Sequence, residues 1–256
     1  MHVLLAGETF SVTTMAAAGV DVVTGHSWSN GATAFNAALA KSGIKVTQIG
    51  GERCGAEFPC DLDALARYDA VAISDVSALT LLVTPETRAG RVGVNRLELL
   101  KTYVENGGGL MMAGGYMGFQ GMFGTARYHD TAVEDVMPIQ CMPVPDGLEA
   151  PEGLTPVLTQ PDHPLLAGLD APWPPVLGLN RLHLRPGHAE GLVAACQYRG
   201  TNWPLLAAGA YGRGRAVAWA SDIGPHWLSQ QFIDWPGYGT LMTNIVRWLS
   251  GRAESA

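Results

Sequence analysis

The sequence predicts an α/β fold: a flavodoxin-like three-layer sandwich around a mostly parallel sheet, with antiparallel additions at its edge. Three observations carry this expectation. Short runs at 2–6 and 110–113 are apolar almost without alternation, as strands buried on both faces are, and 44–49 and 68–74 read as further strands. Helical spacing falls between such runs; in 95–106, Leu97, Leu100, Tyr103 and Val104 recur at the interval that buries one helix face. Beyond residue 190, closely spaced strand patterns at 192–197, 204–210 and 215–221 include a glycine hairpin, Tyr211-Gly212-Arg213-Gly214-Arg215, which adds antiparallel strands.

Taken in order, the first strand opens into Gly7-Glu8-Thr9. Open α/β sheets place ligands at the carboxyl ends of their strands, so Glu8 and Thr9 are candidate ligand-binding residues; the alternative for such an acid is a helix cap or a solvent-facing side chain. Residues 10–30 lack a clear period and read as a long loop of the functional kind. Asn30 is placed to cap a helix over 31–41, which Gly43 ends. Strand 44–49 leads to an irregular stretch, 50–59, and a helical turn at 62–67. Strand 68–74 then sets Asp75 at the same carboxyl edge, a third ligand-binding candidate. A helix is expected at 131–136, and Pro138, Pro143, Pro145, Pro151 and Pro156 break the next stretch of chain into short strands and loops. The last element is an amphipathic helix over 238–249 with Leu241, Ile245, Trp248 and Leu249 inward. Trp227, Phe232, Trp235 and Tyr238 lead into it and read as core packing, a pocket wall or a subunit contact.

Composition bounds the function. With 256 residues, 47% of them hydrophobic and 15% charged, the chain is expected to form one well-buried domain over 1–256. A net charge of −7 disfavours nucleic acid and anionic membrane as partners, which both call for clustered Lys and Arg. The expected partner is a small molecule, with a homo-oligomer as a further possibility. Cys54, Cys60, Cys141 and Cys196 contain no Cys-x-x-Cys pair and read as free thiols. The N-terminus lacks the basic and apolar regions of a secretion signal and no apolar run approaches about 20 residues, so the cytoplasm is the expected compartment.

The stretch 107–121, Gly-Gly-Gly-Leu-Met-Met-Ala-Gly-Gly-Tyr-Met-Gly-Phe-Gln-Gly, is the one the chain is organised around. A glycine run stops a helix, a short strand comes next, and dense glycines then permit a turn that other residues could not make. A strand that feeds a helix through such an elbow displays its apex residue in the cleft beside backbone N–H groups able to hold an oxyanion. The apex here is Tyr116, with Gly115, Met117 and Gln120 around it. Gly114-Gly115-Tyr116-Met117-Gly118-Phe119-Gln120 resembles the nucleophile elbow of class I glutamine amidotransferases, Gly-x-Cys-x-Gly-x-Gln, with tyrosine in place of the catalytic cysteine. Together with Ser221-Asp222-Ile223-Gly224-Pro225-His226-Trp227, the pattern is similar to the amidotransferase-like branch of bacterial proteins. The resemblance implies the fold named above and, near the last strand, a histidine and an acid, for which His226 and Asp222 are the candidates. It also departs from the family, whose tight His-x-Glu pair is replaced by two residues four apart.

A cysteine glutaminase needs a thiolate, a histidine, an orienting carboxylate and oxyanion donors. A tyrosine phenol ionises near pH 10 against about 8.5 for a thiol, and its ring would fill the space meant for the glutamine side chain. Glutaminase activity is therefore not expected, and Cys141, set among prolines without elbow glycines, is no substitute. The expectation is an amidotransferase-like protein that binds a small polar ligand at the elbow, with Glu8, Thr9, Asp75, Gly115, Met117, Gln120 and Trp227 around it. The alternatives are an enzyme of altered acid–base chemistry through Tyr116, His226 and Asp222, and a structural, oligomer-forming module. No metal is expected, because His26, His129, His163, His183, His188 and His226 show no ligand spacing. No cofactor is expected either, since neither a phosphate loop nor a dinucleotide fingerprint stands after a strand.

Overall fold

A computed structural model describes residues 1–187 and 191–251. The first strand, β1 (His2–Gly7), has Val3, Leu4, Leu5 and Ala6 fully buried, which is why its sequence is continuously apolar. Each such leucine or valine stabilises the fold by about 2 kcal/mol relative to exposure. Next come β2 (Thr9–Ala18), β3 (Asp21–Asn30), α1 (Thr33–Lys41), β4 (Lys45–Ile49), α2 (Gly51–Glu57), α3 (Leu62–Leu65) and β5 (Ala70–Ser74). The middle of the chain holds α4 (Ala78–Leu82), α5 (Pro85–Arg88), α6 (Arg96–Glu105), β6 (Gly109–Ala113) and α7 (Ala132–Val136). Short strands come after it, as the prolines foretell: β7 (Ile139–Gln140), β8 (Gly147–Leu154), β9 (Pro156–Leu158), β10 (Val176–Asn180) and β11 (His183–Leu184). The chain returns through β12 (Leu192–Tyr198), β13 (Thr201–Tyr211) and β14 (Gly214–Trp219) to α8 (Gln230–Asp234) and α9 (Pro236–Leu249).

The central sheet has eight strands in the order β4-β1-β5-β6-β14-β13-β12-β9. Pairing is parallel from β4 to β14 and antiparallel from β14 outward to β9, the predicted mixture. The switch arises at β14, which reaches β6 in parallel register, Arg215 opposite Gly109 through Trp219 opposite Ala113, while its hairpin partner β13 must run the other way. The last helix starts at Pro236, whose fixed φ suits a first helical position, and it buries Leu241, Ile245 and Leu249. Trp248 lies half-buried, its ring under the Arg215 guanidinium at 5.1 Å.

Three local expectations are corrected. Residues 10–30 are not a loop but the hairpin β2–β3, paired over its whole length from Thr9 opposite Asn30 to Ala18 opposite Asp21. Both of its faces are exposed, so no core face imposes the alternation that would betray a strand. Within 50–59, α2 is a helix with Gly50 before it and no cap of its own; Thr9, from a distant part of the chain, accepts the Gly51 N–H at 2.8 Å instead. Finally, β6 does not enter a helix after the glycines, and 114–131 is a series of turns. Buried side chains capture its amides: Gly115 N–H donates to Asn180 Oδ1 (3.0 Å), and the N–H groups of Gln120 and Gly121 donate to Asp146 (both 2.9 Å).

Candidate functional site

The carboxyl ends of four adjacent strands, β1, β5, β6 and β14, deliver Glu8, Asp75, the 114–121 turn and Asp222 to one edge of the sheet. That edge is where a parallel sheet presents ligands. The edge is acidic. Glu8 is buried with its backbone in the left-handed region (φ 58°), and it accepts a hydrogen bond from the Ser74 hydroxyl. Burial first, then the charge of Asp75, pushes its carboxyl up to about 8, so Glu8 is a neutral acid at pH 7. Its Oε1 lies so close to Gly31 that a Cβ there would come within 2.5 Å.

Asp75 (φ 49°) and Asp222 face each other across Gly115. A Cβ on Gly115 would stand 2.5 Å from Asp75 Oδ1 and 2.8 Å from Asp222 Oδ1, so only glycine, here at φ 131°, lets the two carboxyls converge. Burial and then the Asp222 charge raise Asp75 to about 7, and burial raises Asp222 as well. Two facing acids cannot both ionise cheaply, so the pair holds a proton near neutrality. Asp222 is 4% exposed; its Oδ2 accepts the Trp227 N–H (2.9 Å) and faces His226 Nδ1 (3.2 Å), while its buried Oδ1 has no hydrogen-bond partner among the described residues.

His226 is held at φ 138°, which an L-residue adopts at a cost of about 1–3 kcal/mol. The hydrogen bond it makes to the Asp222 carboxylate raises its ionisation above the usual imidazole value, against the opposing effect of burial. Its other nitrogen, Nε2, points at Glu149 Oε1 at 3.7 Å. The same Glu149 oxygen accepts from the Tyr116 hydroxyl and from Trp227 Nε1, both at 3.0 Å. The Tyr116 ring stands edge-on to His226 (centroids 5.1 Å apart) and to Trp227 (5.9 Å), and burial followed by the bond to Glu149 keeps its phenol protonated beyond the usual tyrosine range. Tyr116, His226, Asp222, Asp75, Gly115 and Trp227 therefore form one constellation.

The remaining candidates are held differently. Glu8 sits one layer below, against Ser74 and Gly31. Thr9 is occupied with α2, capping Gly51 and donating to Glu52 Oε2 at 2.6 Å, although with Phe10, Val12, Asp75 and Met117 it lines a groove of about 320 Å³. Gln120 turns its side chain to the His129 N–H (3.4 Å). The Met117 N–H, the donor an elbow would offer to an oxyanion, donates to Asp75 Oδ1 at 2.7 Å, and the Gly115 N–H is held by Asn180. Positive φ in the turn falls on Gly115, Phe119, Gly121, Gly124, Arg127 and Asp130, and not on Tyr116. Trp227 is fully buried and floors the site, whereas Phe232 and Trp235 pack with Trp173 in the core.

Sequence reasoning missed Glu149, Asp146 and Asn180. Glu149 lies on β8 between buried Leu148 and Ala150, where alternation marks it only as an outward residue. Asp146 and Asn180 are fully buried and joined at 2.8 Å, and the glycine-rich turn gave no hint of which side chains would bind its amides. Cys141 is buried, its thiol pushed well above the usual range by that burial, and its N–H donates to Glu134 rather than into the cluster. Among the described residues no three His, Cys, Asp or Glu side chains are arranged to hold a metal ion; His188 lies outside them.

Residues 2–251 match the model of the family described as "Putative glutamine amidotransferase". No curated protein matches. Among solved structures, the Cytoplasmic Protein STM3548 from Salmonella typhimurium shares 33% identity at a TM-score of 0.90, over 96% of this chain and 98% of that one. The Cytoplasmic Protein STM1381 from Salmonella typhimurium LT2 shares 32% identity at a TM-score of 0.90, over 97% and 99%. A cold-adapted β-galactosidase from Rahnella sp. R3 shares the fold alone, at 19% identity and a TM-score of 0.52 over 82% of this chain and 26% of that one.

Proposed function

We propose, from the premise that the chain belongs to this glutamine amidotransferase-like family, that it keeps the scaffold, has lost glutamine hydrolysis, and binds a small polar ligand at the acid-rich elbow. One observation carries the reading: the Met117 N–H donates to Asp75, so the position where a tetrahedral oxyanion would be stabilised already faces a carboxyl group. Tyr116 adds to this, since its hydroxyl is bonded to Glu149 and its phenol is driven away from ionisation rather than toward it. A small polar ligand at this edge would meet the half-exposed Tyr116, His226 and Glu149 side chains, with the buried Asp75 and Asp222 carboxyls behind them. The descriptions of the two Salmonella proteins support the cytoplasm as the compartment.

The path Asp222–His226–Glu149–Tyr116 favours a second reading, an enzyme using His226 and Tyr116 as acid and base, since its members stand within hydrogen-bond or ion-pair reach. Ammonia release from glutamine and a Tyr116→Phe substitution separate the two. The first reading predicts no ammonia above the buffer rate and a Tyr116→Phe protein that still binds what wild type binds. Turnover of glutamine by wild type overturns it. Loss of turnover of another substrate in a folded Tyr116→Phe protein establishes the second.

A further inference from the structure

The hairpin β2–β3 stands outside the core. Its ten-residue strands pair only with each other among the described residues, and every residue from 10 to 29 is exposed. A lone two-stranded hairpin about 30 Å long has no face to bury and is marginal in water. Apolar side chains are nevertheless spread among the serines and threonines of both strands. Phe10, Val12, Ala16 and Val23 lie on one face; Met15, Ala17, Val22 and Trp28 lie on the other. Met15 is 74% exposed, and Val20 at the tip is 99% exposed. Exposure of this kind on both faces and along both edges is what soluble proteins avoid unless something covers it.

We infer that this hairpin is an assembly arm and that its partner is a second copy of the same chain. Counted over both faces and the tip, the seven large apolar side chains of the arm expose on the order of 700 Å², so a partner copy that clasps both faces would cover an area close to the roughly 800 Å² that each partner gives to a standard stable interface. Charge points to the same occupant. The chain carries a net −7, so two copies repel over most of their surface, but residues 9–30 contain one acid, Asp21, and no Lys or Arg. The arm is thus where like-charged copies meet at least cost. It also lacks the cations that would draw it to an anionic membrane and the lysines and prolines with which edge strands are kept from pairing. Identical arms present identical edges, the condition for a self-complementary contact.

The test uses the full chain and a variant with Val12→Lys, Met15→Lys, Val22→Lys and Val23→Lys, which charges both faces at positions outside the core. Light scattering is expected to give wild type a mass at least twice 27.1 kDa and the variant 27.1 kDa, with unchanged far-ultraviolet circular dichroism. Amide hydrogen exchange in 9–30 is expected to be slow in wild type and at least tenfold faster in the variant. A monomeric wild type overturns the inference, as does a variant that keeps the wild-type mass. A monomer that floats with phosphatidylcholine vesicles also overturns it, by making a lipid surface the occupant of the arm.

Discussion

Replacing Glu8 with glutamine tests the electrostatics of the site through stability. An unfolded glutamate titrates near 4.5, but in the fold burial, and then the charge of Asp75, push Glu8 up to about 8. Between those values the folded chain holds a proton that the unfolded chain releases, so stability falls as pH rises: the contribution is complete below 4.5 and is lost by the time pH passes about 8. At about 1.4 kcal/mol per pH step, the loss from Glu8 between roughly pH 5.5 and pH 8 is on the order of 3 kcal/mol. Asp75, raised to about 7, and His226, also raised, act in the same direction. Glu8→Gln imitates the protonated acid without its titration. Urea unfolding at the two pH values should show wild type losing several kcal/mol, and the variant should lose about 3 kcal/mol less and become the more stable protein at the alkaline end. Stability that is flat or rises with pH in wild type, or an equal slope in the variant, would show that Glu8 does not hold a proton in the fold.

The same contacts yield other expected outcomes. Gly115→Ala forces a Cβ between two carboxyls in a left-handed backbone and should cost about 3 kcal/mol or more in urea unfolding. Asp222→Asn removes the chief cause of the raised His226 ionisation, so its imidazole should titrate at lower pH than in wild type by nuclear magnetic resonance. Thr9→Ala deprives α2 of its only side-chain cap and should lower stability by about 1 kcal/mol, with exchange of the Gly51 amide accelerated. Alkylation of the native protein should label Cys60 first, because Cys54, Cys141 and Cys196 are buried and their thiols are raised out of the reactive range.

The parts of this fold that were legible in the sequence are those whose side chains answer to local rules. The strands at 2–6, 70–74 and 110–113 are buried on both faces, and α6 buries one stripe, so each writes its own period. Asp75 lies beside the elbow at the carboxyl edge, and Tyr116, Asp222, His226 and Trp227, singled out from the motif, stand together there. Features that depend on a distant partner escaped. The N-terminus of α2 is capped by Thr9, 42 residues before it. The hairpin β2–β3 lacks a core face and so lacks a pattern. Glu149 becomes part of the site only because β8 carries it beneath Tyr116 and Trp227, and Asn180 and Asp146 replace the expected helix by holding the amides of the turn.

The most direct measurement is ammonia release from glutamine by Tyr116→Cys, which returns a thiol to the apex without altering the surrounding acids. None above the buffer rate is expected, because Asp75 still holds the Met117 N–H and the new thiol would face protonated and ionised carboxyls rather than an oxyanion site. Sustained turnover by that single variant would show that the oxyanion position is intact and would contradict the claim that the scaffold has lost it.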